Sequence, residues 1–235
     1  IDSRLDWVGN VKVTAADVDL VLDTDYTVDF KNEAGQSSGL LPGKDLTGIL
    51  TVDFTDAGLA KLANAKGPIV ITFDTKINDT AIMGQDIENN VQVDFDNGHG
   101  RKGENTPEEV PSVHTGGKKF VKVDQDNEEV LLAGAEFKIK NADGKFVIVA
   151  NDGKVTFGAE TDAKTFTSAK GTGAFEVRGL PYGDYVLVET KAPNGYALPT
   201  KPETNFTVGK TSYYEDPTTI TSPEAESDNA KKIPN

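Results

Sequence analysis

Three polar residues stand on strand-like segments at positions that turn them toward apolar neighbours. In Tyr185-Val-Leu187-Val-Glu189 the side-chain period of two puts Tyr185, Leu187 and Glu189 on one face. In Phe120-Val-Lys122-Val-Asp124, Lys122 shares a face with Phe120. In Lys231-Lys-Ile233-Pro-Asn235, Asn235 shares a face with Lys231 and Ile233. If the apolar residues line a core, that core also receives a lysine, an acid and an amide. Burial lowers a lysine's pKa and leaves a neutral amine, which is a nucleophile. A carboxyl group buried without a partner stays protonated. It can then donate a hydrogen bond to an amide carbonyl and stabilise the oxyanion developing there. Lys122 would attack the side-chain amide carbon of Asn235, with Glu189 as the catalytic acid. Ammonia would leave and a Lys–Asn isopeptide bond would remain. The fold makes the exchange effectively unimolecular. The pattern alone leaves a second reading open, with Lys122 a solvated strand residue and Glu189 an edge carboxylate, because Lys and Glu are seldom fully buried unless paired.

Such a site needs strands, and strands dominate the chain. Asn10–Thr14, Tyr26–Phe30, Gly48–Phe54, Ile69–Ile77 and Val91–Phe95 alternate apolar and polar residues. Val11/Val13, Val28/Phe30, Val52/Phe54 and Val91/Val93/Phe95 would each line one face. One helix is expected from Thr55, an N-cap type residue, through Ala63, with Leu59 and Leu62 three apart and Gly67-Pro68 as the stop. From Asp96 to about Glu109 no apolar period survives, and the run reads as an exposed connection. A second set follows: Lys119–Val123, Ala135–Lys140, Phe146–Val149, Thr172–Val177, Gly183–Glu189, Asn205–Val208 and Lys231–Asn235, with turns at Asn141–Gly144, Asn151–Gly153 and Pro181–Gly183. Asp216–Asp228 is a long polar loop before the last strand. Short, regularly spaced strands indicate β-sandwiches, with a boundary near 110–117.

Composition narrows the function classes. Among 235 residues, 38 acidic against 24 basic side chains give a net charge of −14. That balance disfavours nucleic acid, whose phosphates must be neutralised by Lys and Arg. With no cysteine there are no disulfides, thiolate metal sites or cysteine nucleophiles. No apolar run approaches the ~18 residues of a membrane span, and no signal peptide opens the chain, so it reads as mature or as a fragment.

Tyr185-Val-Leu187-Val-Glu189-Thr190-Lys-Ala192-Pro193-Asn-Gly195-Tyr196 resembles, at every defining position, the E-box of Gram-positive pilin subunits. Phe120-Val-Lys-Val-Asp124, Leu132-Ala-Gly-Ala-Glu-Phe137 and Gly179-Leu180-Pro181-Tyr182-Gly183 are similar to the opening strands and pre-E-box turn of a CnaB-type domain. This likeness covers about residues 117–235. It implies a crosslink from Lys122 to Asn235 with Glu189 catalytic; Asn229 is the runner-up, because Ile233-Pro234-Asn235 also reads as the start of a Leu-Pro-x-Thr-Gly-type sorting signal.

The first half is similar to the CnaA-like middle domain of major pilins, through Ile1-Asp-Ser-Arg-Leu5 with Val11-Lys-Val13, the Gly48–Phe54 strand with its helix, and Asp86-Ile-Glu-Asn-Asn-Val-Gln-Val-Asp-Phe95. The family's crosslinked asparagine, six residues ahead of an aromatic, would fall on Asn89, an ordinary turn asparagine on the other reading. Its lysine and acid would fall upstream of Ile1, so this domain is expected to be truncated at its N-terminus.

The resemblance as a whole implies an all-β chain of two tandem Ig-like sandwich domains, 1–110 CnaA-like and 111–235 CnaB-type. It implies the shaft subunit of a cell-wall-anchored, surface-exposed pilus, non-enzymatic beyond one self-directed turnover and without cofactor or metal. Its partners would be other copies joined by a pilin-class sortase, ancillary pilins and host surface proteins. The family's N-terminal domain, sorting signal and hydrophobic tail are not among these residues. A CnaB stalk beneath a host-binding adhesin is the alternative; a hydrolase built on Glu189 is disfavoured by the lysine beside it.

Other signals are weaker. Asp17, Asp19, Asp23 and Asp25 could offer oxygens to calcium but lack EF-hand spacing, and read as a solvated strand-and-turn face. The run from Asp124 to Glu129 reads as a turn, His99 and His114 as residues of exposed segments, and Trp7 as core.

Overall fold

The computed structural model describes residues 1–16, 18–32, 48–63, 65–96, 102–106, 111–151 and 153–235. The chain is all-β, a tandem pair of Ig-like sandwiches with one short α-helix among the described residues. Its contacts divide it into two compact units: Ile1–Ala81 with Ile87–Ser112, and Ile82–Asp86 with Val113–Asn235.

In the first unit β1 (Leu5–Ala15) pairs antiparallel with a later strand, Ile69–Ile77, from Leu5↔Ile77 to Ala15↔Ile69. The register slips around Gly9 and Asn10, both at positive φ, which is how a bulge bends a strand. A hairpin of β2 (Tyr26–Asn32) and β3 (Gly48–Phe54) forms the other layer. Trp7 is buried and stacks on Phe30 at 5.0 Å. Helix α1 (Asp56–Leu62) is capped by Thr55, whose hydroxyl accepts from the Gly58 amide at 3.1 Å. Leu62 packs on the core, but Leu59 is exposed. The inward position is Gly58, where a Cβ would lie 1.9 Å from the Asp25 carbonyl oxygen, so only glycine lets the helix approach that closely.

With the Ile69–Ile77 strand taken as β4, two further departures from the sequence reading follow. Val91, Val93 and Phe95 are exposed rather than lining a core. The connection after Phe95 includes a strand: β5 (Val93–Asp96) pairs with β6 (Lys102–Asn105). The Phe95 ring lies over Gly103, so a local contact organises a polar stretch in which periodicity could show nothing. His99 and Asp17 lie outside the described residues.

The second unit holds two sheets. β7 (Gly116–Val123) is the central strand of the first, and the second contains β8 (Glu136–Asn141), β9 (Phe146–Val149) and β10 (Val155–Gly158). β11 (Ala174–Leu180) flanks β7 antiparallel. β12 (Gly183–Lys191) and β13 (Glu203–Val208) continue the second sheet, in the order β10-β9-β8-β12-β13. β14 (Ala230–Pro234) flanks β7 on its other side and runs parallel to it. The sheets meet through aromatic rings: Phe120 stacks on Phe175 at 5.0 Å, Phe175 on Phe137 at 4.4 Å, and Phe206 meets Phe120 edge-on at 5.1 Å. Each such ring contributes about 1.5–3 kcal/mol when fully buried. This core forces the inward residues of β7 and β12, polar ones included, into one dry layer.

Candidate functional site

Lys122 follows Phe120 by two on β7 and is fully buried. Glu189 follows Leu187 by two on β12, opposite Phe137 of β8, and is 4% exposed. The two meet between the sheets. Lys122 Nζ donates to Glu189 Oε2 at 2.8 Å and to the Pro234 carbonyl of β14 at 3.0 Å. It also lies 5.8 Å from the centre of the Phe137 ring. Burial pushes the Lys122 ammonium below its ordinary value, while the bond to Glu189 and its charge oppose that shift.

Asn235 follows the last residue of β14. Its backbone N–H donates to the Val123 carbonyl at 3.0 Å, which carries the β7–β14 ladder one step past Pro234. Its side-chain Nδ2 donates to the Ala197 carbonyl at 3.1 Å. Two buried oxygens at this end of the sandwich accept nothing: Glu189 Oε1 and Asn235 Oδ1. An acceptor left dry and unpaired is costly, and both belong to residues at the end of the sandwich where Lys122 is held by Glu189 and the Pro234 carbonyl. A lysine, an acid and an asparagine are thus brought to one end of the sandwich.

The runner-up asparagine is held elsewhere. Asn229 Oδ1 accepts from Lys118 Nζ at 3.3 Å, and its Nδ2 donates to the Thr211 carbonyl at 2.6 Å. Lys118 belongs to the same strand as Lys122, and burial lowers its pKa too. Its other hydrogen-bond acceptor is the Ser212 carbonyl, not a carboxyl group. Asn89 is half-exposed just past the short strand Asp86–Glu88, and its amide donates to the Pro111 carbonyl at 2.9 Å.

Several contacts around the site escaped sequence reasoning. Tyr196, at the end of the E-box-like segment, donates to Asp124 Oδ2 at 2.7 Å and ties that segment to the end of β7. The next carbonyl, Ala197, takes the Asn235 amide. Gly173 has φ of 61° and sits against β7, where a Cβ would lie 2.6 Å from the Lys122 carbonyl oxygen. The Asp124 carboxylate accepts from the Asp126 and Asn127 amides, so the acidic run is the expected turn. His114 is exposed and stacks on Tyr182 at 3.8 Å. Of the aspartate cluster, Asp19 and Asp23 are exposed, but Asp25 is fully buried and accepts from Lys61 at 2.5 Å and from the Val21 amide at 2.8 Å. Its place under α1 makes it a structural acid rather than part of a solvated face. Among the described residues no group of three His, Cys, Asp or Glu side chains is placed to hold a metal, and no helix is long and apolar enough to cross a membrane.

Comparison with known proteins agrees with this architecture. The family model described as the SpaA prealbumin-like fold domain matches residues 116–221, a span that contains Lys122 and Glu189 and stops short of Asn235. A comparison with curated proteins gives no match. Among solved structures, the chain is similar to a 35 kDa C-terminal fragment of the major pilin GBS80 of Streptococcus agalactiae, at 27% identity and TM-score 0.75, over 99% of this chain and 83% of that one. It shares its fold with domains D2 and D3 of the major pilin SpaD of Corynebacterium diphtheriae, at 23% identity and TM-score 0.62, covering 100% of this chain and 82% of that one. It also shares it with the pilus backbone protein RrgB of Streptococcus pneumoniae, at 21% identity and TM-score 0.61, covering 99% and 86%. The chain is thus related to bacterial pilins of this fold, at moderate identity and with broad coverage.

Proposed function

We propose that this chain is a structural shaft subunit of a cell-wall-anchored pilus, exposed on the cell surface and stabilised by an autocatalytic Lys122–Asn235 isopeptide bond. The observation that carries the reading is the buried Lys122–Glu189 pair, with the Pro234 carbonyl on the same ammonium and Asn235 one residue further on. The likeness to major pilins supports the shaft role. In this reading residues 1–110 form a CnaA-like domain and 111–235 a CnaB-type domain.

The reaction is an amide exchange within one molecule. The neutral Lys122 amine forms a bond to Asn235 Cγ while Glu189 hydrogen-bonds the carbonyl oxygen. The bond from Cγ to Nδ2 then breaks. Glu189 relays the amine's proton to Nδ2, which leaves as ammonia. Glu189 is regenerated, but each chain reacts once. The neighbours and their order are fixed by the sandwich, so proximity replaces the activated acyl donor that amide exchange in water would need.

The bond would join strands flanking each other in one sheet. Lys122 and Pro234 are 112 positions apart in the chain. Closing a loop of ~100 residues removes on the order of 4–5 kcal/mol of unfolded-state entropy, by analogy with a disulfide. Tension entering β7 would pass covalently to the end of β14 rather than through ladder hydrogen bonds. A chain without cysteine would gain a crosslink that reduction cannot undo. In assembly, copies would be joined to each other by a pilin-class sortase.

Tandem mass spectrometry of a digest tests the bond: a branched peptide joining Lys122 to Asn235 is expected, and separate linear peptides would refute it. Immunogold labelling along the pilus tests the shaft role, and labelling confined to the tip or base would contradict it.

A further inference from the structure

Between Val208, where β13 ends, and Ala230, where β14 begins, the chain makes a long polar excursion, yet two of its side chains are among the most buried in the unit. Tyr213 and Tyr214 are each 1% exposed, and their rings meet edge-on at 4.9 Å. The Tyr213 hydroxyl donates to Glu176 Oε2 at 2.5 Å and accepts from Arg178 Nη2 at 3.0 Å and Nε at 3.2 Å. Glu176 and Arg178 pair with each other at 3.0 Å on β11. Burial, and then the Glu176 carboxylate, push the Tyr213 phenol far above its ordinary value, so its proton stays in place to be donated.

The rest of the excursion closes on this point. Arg178 Nη1 donates to the Pro223 carbonyl at 3.2 Å, the Ser227 hydroxyl donates to the Tyr213 carbonyl, and the Tyr214 hydroxyl donates to the Ala225 carbonyl at 2.9 Å. Ser212 Oγ donates to the Gly117 carbonyl of β7 at 2.8 Å. Lys118 of β7 and the Thr211 carbonyl hold Asn229, and β14 starts at the next residue. These anchors lie on β11 and β7, two strands of the sheet that β14 joins at its edge.

A five-residue edge strand has few ladder bonds of its own. The entropy of a free connection would keep it away from β7 much of the time. We propose that the Tyr213–Arg178–Glu176 network is a latch that holds β14 in register on β7 and so positions Asn235 for Lys122. Only the second half of this statement rests on the crosslink reading. Tyr213 is then a positioning residue; its hydroxyl touches none of the reacting groups, and it acts by raising the time Asn235 spends beside the amine.

Tyr213→Phe keeps the ring and removes the hydroxyl. In a Glu189→Gln background, where the strands stay unjoined, the full chain with Tyr213→Phe should exchange the backbone amides of β14 and Asn235 roughly tenfold faster or more, while those of Phe137 and Ile139 in the other sheet keep their protection. A merely structural role would move both sets together. With Glu189 intact, Tyr213→Phe should slow ammonia release after a pulse of synthesis by a similar factor, followed by intact mass. Ser227→Ala, which cuts the same loop from Tyr213 without touching the ring, should do the same more weakly. Unchanged exchange at β14, or faster exchange with no change in ammonia release, would overturn the latch. If the parent chain releases no ammonia at all, the crosslink reading falls, while the exchange comparison still decides whether the latch holds the strand.

Discussion

Lys122 Nζ and Glu189 Oε2 lie 2.8 Å apart, with both side chains out of solvent. A buried ion pair is weak support for stability in itself, since removing two charges from water costs about as much as their attraction returns. Its presence in an otherwise apolar core is accounted for by the proposed reaction between this lysine and Asn235.

Glu189→Ala should leave the chain with its ammonia, because no acid remains to polarise the Asn235 carbonyl. The variant should lose on the order of 4–5 kcal/mol from the missing crosslink, and it also leaves Lys122 a free amine buried without its acid. Thermal denaturation and trypsin resistance of residues 116–235 report both.

The rate of bond formation should depend on pH through Lys122, whose pKa burial lowers. Chain isolated unfolded and unreacted directly after synthesis, then refolded, should release ammonia faster as pH rises through that lowered value and level off before the ~10.4 of an ordinary lysine. In Asn235→Ala, which cannot form the bond, the unfolded chain holds the lysine proton over the same interval. Stability should therefore rise with pH there. A rate independent of pH would argue against an amine nucleophile.

Asp25 should govern the acid limit of the first unit. The bond from Lys61, then that from the Val21 amide, hold its carboxyl below the ordinary carboxylate range. Its contribution is complete above the unfolded value of ~3.9 and is lost as pH falls through the lower folded value. Trp7, the single tryptophan, is buried in this unit and reports its unfolding by fluorescence. Asp25→Asn should lower the urea midpoint at neutral pH and flatten its fall below about pH 4.

Gly173→Ala tests the support of the lysine strand. A left-handed conformation costs a non-glycine residue roughly 1–2 kcal/mol, and here the new methyl would also press on the Lys122 carbonyl. The melting temperature of the second unit should fall by more than the same change at Gly144, whose Cβ would meet nothing within 4 Å.

Asn235→Ala and Asn229→Ala separate the two candidate asparagines. The first should release no ammonia and keep the mass of its own sequence. The second should still release it, because Asn229 faces Lys118 rather than the Lys122–Glu189 pair.

The sequence made this site legible because a strand's period of two is strict. Once Phe120 and Leu187 were inward, Lys122 and Glu189 had to be inward as well. The same rule failed at Val91, Val93 and Phe95, whose alternation has no layer to pack against and which are exposed. It also missed β6, since Lys102–Asn105 is polar throughout and is ordered by the Phe95–Gly103 contact. Helix α1 was visible from its cap, yet its inward residue is Gly58, because the Asp25 carbonyl leaves no room for a side chain. Asp25 and Tyr213 were hidden for a related reason. Each sits in a polar run, and its burial depends on partners such as Lys61 and Arg178 that are remote in sequence. The ends of β14 likewise followed from pairing with β7, which extends the strand back to Ala230.

The central claim is a covalent bond between Lys122 and Asn235, and intact mass tests it most directly. The account predicts that the folded chain weighs less than its sequence by one ammonia molecule, with the full mass restored by Lys122→Ala. A folded chain at the unmodified mass of its sequence would contradict it.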